Sequence, residues 1–183
     1  MPDHTGGEAG RFYFETVHQL PDGTQILIRP IEATDKLRLS VALSRLSRET
    51  IRARFLAAKP RLTSAELRYL TEVDGHDHIA LVATLASDPE SIVAVARCVR
   101  FSDAPDTAEF AIVVGDPLQG RGLGSVLARE LAAAARSAGI RRFSATMAGE
   151  NVAVRRLIAH FTRTLEHDHT SHGVREVLVE LAA

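Results

Sequence analysis

The feature that most constrains this chain is a change of hydrophobic period near residue 115. Upstream, "IALVATLA" (Ile79–Ala86), "SIVAVARCVRF" (Ser91–Phe101) and "TAEFAIVVG" (Thr107–Gly115) are strand-like, with turn signals at "SDPE" and "DAPD" between them. Such short connections predict an antiparallel meander. Downstream, "GLGSVLARELAAAARSA" places Leu123, Leu127, Leu131, Ala134 and Ala138 at helical spacing, and Gly139 stands where a C-terminal cap belongs. "RRFSATMA" (Arg141–Ala148) then alternates again. Strand, helix and strand in that order predict a parallel crossover. A chain that holds both a meander and a crossover in one sheet is α/β with a mixed sheet.

The rest of the chain fits around that core. "TQILIRPI" (Thr24–Ile31) reads as a strand after a "PDG" turn. Thr34 is the expected cap of a helix through "DKLRLSVALSRL", and Ser47 opens a second helix, "RETIRARFLA". "TSAE" (Thr63–Glu66) is a capping box ahead of "LRYLTEV". "NVAVRRLIAHF" reads as a short helix, and "TRTLEHD" and "VREVLVEL" as a closing hairpin around "HTSHG". There is no repeat and no linker. Residues 1–10, "MPDHTGGEAG", are expected to be a flexible leader, with residues 11–183 forming a single domain.

Composition excludes several classes. The net charge of −1 gives no electrostatic case for nucleic acid or an acidic membrane. No apolar run approaches the ~20 residues of a membrane span. The expected compartment is the cytoplasm. The one cysteine, Cys98, rules out an internal disulfide, and its strand-like flanks make it a buried structural thiol.

The stretch "VGDPLQGRGLGSVLARE" (Val114–Glu130) carries glycines at 120, 122 and 124 between a strand and a helix. A P-loop would need Lys before Ser125, and a dinucleotide fingerprint would need a third glycine where Ser125 stands. Both fit poorly. Converging N–H groups at a helix start still favour an anion, and Gln119 and Arg121 add polar reach. The plain alternative is a tight connection whose glycines serve close packing.

Gln119-x-x-Gly122-x-Gly124 after a strand resembles the loop motif of the GNAT superfamily of N-acetyltransferases. The element order resembles that fold over most of the chain, and Asn151 stands where the family often has an Asn. "LSRETIRARFLAAKPRLTSAELRYLTEVD" further resembles the acetyltransferase domains of bacterial protein-lysine acetyltransferases. The resemblance implies a GNAT fold with a central sheet of about seven strands, a splayed parallel pair and flanking helices. It also implies acetyl-coenzyme A as cosubstrate. The pyrophosphate would lie on N–H groups of Gln119, Gly120, Arg121, Gly122, Leu123, Gly124 and Ser125. The pantetheine arm would pair with backbone around Ile112, Val113 and Val114.

On that reading Glu109 is the general base, since a lysine amine is mostly protonated at neutral pH. Flanking apolar residues predict partial burial, which would raise its pKa. The oxyanion would be met by a backbone N–H near Ile112 or Val113. The chain departs from the family at the general acid. Many members carry Tyr seven residues after the Asn, and here that position is Ile158. Water or Ser125 would substitute.

The implied acceptor is a primary amine, protein lysine first and a small-molecule amine second, acted on by a monomer or homodimer. A non-catalytic acyl-coenzyme A sensor and a nucleotide-binding module remain alternatives. "EHDHTSH" (His167, Asp168, His169, His172) and His160 read as solvated polar residues, with no metal expected. "GHDH" (His76, Asp77, His78) also reads as solvated, though it would sit near the acceptor side, where Asp74 or His76 could contact substrate. The arginines 45, 48, 52, 54 and 61, with Lys59, form a solvated face or an anion contact.

Overall fold

The computed structural model describes residues 15–55, 61–148, 152–160 and 162–182. The expected leader and Asn151 lie outside them. In chain order the elements are β1 (Thr16–Gln19), β2 (Gln25–Pro30), α1 (Lys36–Ser44), α2 (Arg48–Phe55), α3 (Ser64–Thr71), β3 (His78–Leu85), β4 (Asp88–Arg100) and β5 (Thr107–Val114). Then come α4 (Leu123–Ser137), β6 (Arg142–Ala148), α5 (Val152–Ile158), β7 (Thr162–Ser171) and β8 (Val174–Leu181).

Eight strands form one sheet in the order β1-β2-β3-β4-β5-β6-β8-β7. Every pairing is antiparallel except β5 with β6. The mixed sheet is as expected, with one strand more than the expected seven. The extra strand, β1, has only four residues and alternates between half-buried and exposed.

Two layers cover the sheet. On one face α4 buries Leu123, Leu127, Leu131 and four alanines against Ala94, Ala96, Cys98 and Phe143. Burying each leucine contributes about 1.5–3 kcal/mol. Gly139 ends α4 with φ 85°, as its position predicts, and Ile140 N–H returns to Ala135 O. On the other face Leu39 of α1 packs with Val82, Ile92 and Val95, joined by Leu67 and Leu70 of α3. Among the described residues, no helix is long and apolar enough to cross a membrane.

Local signals resolve in detail. The "TSAE" capping box is present, with Thr63 Oγ1 accepting from Glu66 N–H. Ser47 caps α2 by accepting from Thr50 N–H at 3.1 Å. Thr34 caps nothing: it donates to Glu32, and Asp35 precedes α1 instead. Asp35 is fully buried and holds Arg29 of β2 through two bonds of 2.7 and 2.8 Å. That pair, with Arg38 and the Glu32 N–H on the same carboxylate, clamps α1 to the sheet. The "SDPE" turn is also shorter than expected. β3 and β4 meet at a two-residue connection, Ala86–Ser87, and Pro89 falls in a bulge where no ladder N–H is needed. At the last hairpin β7 runs through Ser171. His172 (φ 50°) and Gly173 (φ 77°) make the turn, both in the left-handed region that such a turn requires.

Candidate active site

β5 pairs with β4 from Ala108 to Val114. Its pairing with β6 stops after three rungs, Thr107–Arg142, Ala108–Phe143 and Glu109–Ser144. β6 continues alongside β8 to Ala148. Beyond Glu109 the two parallel strands therefore diverge, in the middle of an eight-stranded sheet. Among the described residues, the β6-facing edge of residues 110–114 has no strand partner, and residues 111–114 are only half-buried. Backbone groups in such a place need another hydrogen-bonding partner. This is the splay that the strand–helix–strand stretch implied. At its mouth three elements meet around Gly124: a Cβ there would lie in ordinary contact, 3.6 Å from both Val114 of β5 and Leu157 of α5.

The wedge opens toward the glycine loop. After β5, Gly115 bonds back to Val93 O at 2.8 Å, and a single turn at Asp116–Leu118 leads to Gln119. Gly120 (φ 72°) and Gly122 (φ 89°) are left-handed. That conformation disfavours any residue with a Cβ. The first helical donors of α4, Ser125 and Val126, both bond to Gly122 O at 3.1 and 3.2 Å. The N–H groups from Gly120 to Gly124 thus lie ahead of the first helical bond, at the positive end of a fifteen-residue helix.

The side chains of this loop do not reach outward as expected. Gln119 Nε2 donates to Val114 O at 3.0 Å and to Thr50 Oγ1 at 3.1 Å. Arg121 turns to the β1–β2 turn, bonding Asp22 and Thr24 Oγ1. Side-chain bonds inside the fold hold both, so the loop presents backbone.

Sequence reasoning missed the residue that fastens the loop. Asp116 accepts from Ser47 N–H (2.9 Å), Ser47 Oγ (2.7 Å) and Thr50 Oγ1 (2.7 Å). Donation from the Ser47 hydroxyl, then from its N–H, holds the Asp116 carboxyl below its usual range. The start of α2 is thereby tied to the entry of the glycine loop. Only the fold brings these residues together, across 69 positions.

Glu109 stands at the fork of the wedge. It is exposed, which corrects the expected partial burial: it shares a face of β5 with Ala111 and Val113, on the α1–α3 side of the sheet. Burial lowers the pKa of Arg54 of α2, and the Glu109 charge opposes that by favouring the charged guanidinium. On the same face, a cavity of about 560 Å³ lies between α1–α3 and strands β4 and β5, with Arg54 and Arg97 in its lining. Arg97 is 7% exposed, donating to His78 Nε2 at 3.1 Å and to Leu70 O at 3.2 Å. Because Arg97 donates, His78 Nε2 must accept, so His78 is neutral there. Burial, then the Arg97 charge, draws the His78 pKa down to about 4.

Cys98 is fully buried, and burial pushes its thiol up to about 12, as a structural cysteine requires. Asp74 is not free for substrate. It accepts the N–H groups of His76, Asp77 and His78 at 2.8–2.9 Å, and its loop lies beside the end of α4, where Arg100 donates to both His76 O and Ala138 O. That places Asp74 and His76 at the opposite end of α4 from the glycine loop. Asp168 is held by Arg175, and among the described residues no cluster of metal-binding side chains forms. Ile158 is buried, and His160 is exposed just past α5.

The forked sheet, the glycine loop and the helix start agree with what comparison finds. Residues 45–161 match the model of the acetyltransferase (GNAT) family, and the chain belongs to that family. It is 37% identical over 141 residues to acetyltransferase Pat of Mycolicibacterium smegmatis, covering 76% of this chain and 41% of that protein. It is 33% identical over 145 residues to acetyltransferase PA5475 of Pseudomonas aeruginosa, covering 77% of this chain and 76% of that protein. Among solved structures, the GNAT domain of S. lividans PAT superposes with a TM-score of 0.82 at 31% identity, covering 91% of this chain and 97% of that one. The chain thus spans less than half the length of the Pat relative. The acyl donor of the family is acetyl-coenzyme A.

Proposed function

We propose that the chain is an N-acetyltransferase that moves the acetyl group of acetyl-coenzyme A to a primary amine, with Glu109 as general base. The observation that carries this is the fork after Glu109, which leaves one edge of β5 open directly beneath a helix start that presents backbone N–H groups. The donor fits these groups. The open edge, which carries the Ile112 backbone groups and the Val114 N–H, matches the amides of a pantetheine arm, while Val113, between them, turns its own groups to Val95 of β4. The N–H groups from Gly120 to Gly124 match a pyrophosphate; those of Gln119 and Ser125, expected to join them, bond to Asp116 O and Gly122 O instead. Asn151, outside the described residues, is the remaining contact implied by the family likeness.

Bound there, the thioester supplies an activated acetyl carbonyl. Glu109 accepts the proton that the amine loses as its nitrogen bonds to that carbonyl. The N–H of Ile112 steadies the oxygen while the carbon–sulfur bond breaks; that of Val113, the other expected donor, faces Val95 of β4. The leaving thiolate takes its proton from water or Ser125, since Ile158 cannot supply one. A thiolate leaves readily, so a dedicated acid is dispensable. A protein lysine is the first acceptor. A small-molecule amine is the second, favoured by the cavity beside Glu109. The same chain, 1–10 as leader and 11–183 as one catalytic domain, would act in the cytoplasm as a monomer or homodimer.

A non-catalytic sensor is the alternative reading, favoured by Ile158. Calorimetry with acetyl-coenzyme A and with ATP, followed by thiol release over an amine panel, tests the proposal. Binding of the former alone, with amine-dependent thiol release, is expected. No heat with acetyl-coenzyme A overturns the site; heat without release leaves the sensor.

A further inference from the structure

Two arginines are buried among the described residues, and they differ in one respect. Arg29 lies against the buried Asp35 carboxylate at 2.7 and 2.8 Å. Arg97, more deeply buried, meets a neutral imidazole and a carbonyl. No carboxylate lies within ion-pair distance of Arg97 among the described residues. Moreover, Arg54 lines the same cavity. Burial and then the Arg54 charge draw the Arg97 pKa down to about 10, so Arg97 remains a cation at neutral pH. A buried charge that only neutral groups solvate is costly unless a counter-ion reaches it.

Leu39 and Leu43 of α1, Leu70 of α3, and Val95 and Val113 of the sheet give the cavity an apolar wall, beside the charged Arg45, Arg54, Asp116 and Arg121. At about 560 Å³ it has room for a small molecule. We infer that this cavity binds a small molecule with an apolar body and one carboxylate, which pairs with Arg97 while the body packs on the leucines and valines. A guanidinium prefers a carboxylate to a neutral amide by geometry and by charge. The inference concerns binding alone and does not depend on the acetyl-transfer reading, because its test contains no acetyl-coenzyme A.

Phenylbutyrate and its neutral amide, phenylbutyramide, differ only in the group that would meet Arg97. Titrated into the wild-type chain by calorimetry, the carboxylate should bind roughly tenfold or more tightly than the amide. Amide resonances of Val95 and Val113 should shift while those of Gly120 to Gly124 stay put. Arg97→Met should erase the preference, and Arg97→Lys should retain part of it. Should Arg97→Met fail to fold, the comparison on wild type decides alone. Equal binding of the two compounds, binding of neither, shifts confined to the glycine loop, or an unchanged preference in a folded Arg97→Met would each overturn the inference.

Discussion

Glu109 faces Ser144 across the last rung of the parallel β5–β6 pair, so the proposed base stands where the sheet forks. Replacing Glu109 with Gln keeps size and hydrogen bonding but removes the proton acceptor. Glu109→Gln should lower kcat by about 10²–10⁴-fold while acetyl-coenzyme A affinity stays within about twofold of wild type. A thiol-release assay beside calorimetry separates the two effects. An unchanged kcat would assign the proton transfer elsewhere.

The glycines of the loop differ in how they meet substitution. Gly122 is left-handed, and a Cβ there would sit 3.5 Å from Pro21. Gly122→Val combines backbone strain of about 1–2 kcal/mol with bulk at the N–H groups, and should weaken acetyl-coenzyme A binding by at least about tenfold. Gly124 has ordinary room for a Cβ against Leu157 and Val114. Gly124→Ala should therefore melt within a few degrees of wild type. Calorimetry and thermal melts on the pair would show whether loop backbone or mere packing sets affinity.

Asp116 connects the loop to α2 through three bonds that Asn cannot reproduce with one oxygen. Asp116→Asn should cost about 1 kcal/mol and lower Tm by about 2–4 °C. It should also raise the Kd for acetyl-coenzyme A by loosening the loop. Because the folded pKa of Asp116 lies below the unfolded value, its contribution is present above the unfolded pKa and is lost as pH falls through the folded one. The difference in Tm between wild type and Asp116→Asn should vanish in that acidic range.

His78 supplies a second, separate pH dependence. Its folded pKa of about 4 lies below the ordinary histidine value of 6.5, so the unfolded chain binds the proton more readily. Stability from neutral His78 is complete above the unfolded pKa and drains away as pH falls toward 4. His78→Gln offers Arg97 an acceptor without titrating. Its Tm should depend less on pH than that of wild type between pH 6.5 and 4. Parallel profiles would mean that His78 does not govern acid sensitivity.

Much of this arrangement was legible in the residues, because the meander, the crossover and the glycine stretch are set by local period and spacing. Thr63, Ser47 and Gly139 act within a turn of where they stand, and each fills the role its sequence neighbours predict. What escaped was non-local. Asp116 matters through Ser47, Asp35 through Arg29, and Arg97 through His78; each partner comes from another element. Gln119 and Arg121 misled for the same reason, since their bonds go to Thr50 of α2 and Asp22 of the β1–β2 turn. β1 was missed because four residues alternate too briefly to distinguish from loop.

The three-rung seam between β5 and β6 also has a mechanical meaning. It divides the sheet into a five-strand leaf and a three-strand leaf, joined by this short seam and by the helices that pack across it. A ligand bonded to the free edge of β5 would then lengthen the seam as a splint does a joint. Any such molecule would stiffen the two leaves against each other, and hydrogen exchange along β6 would slow on its arrival.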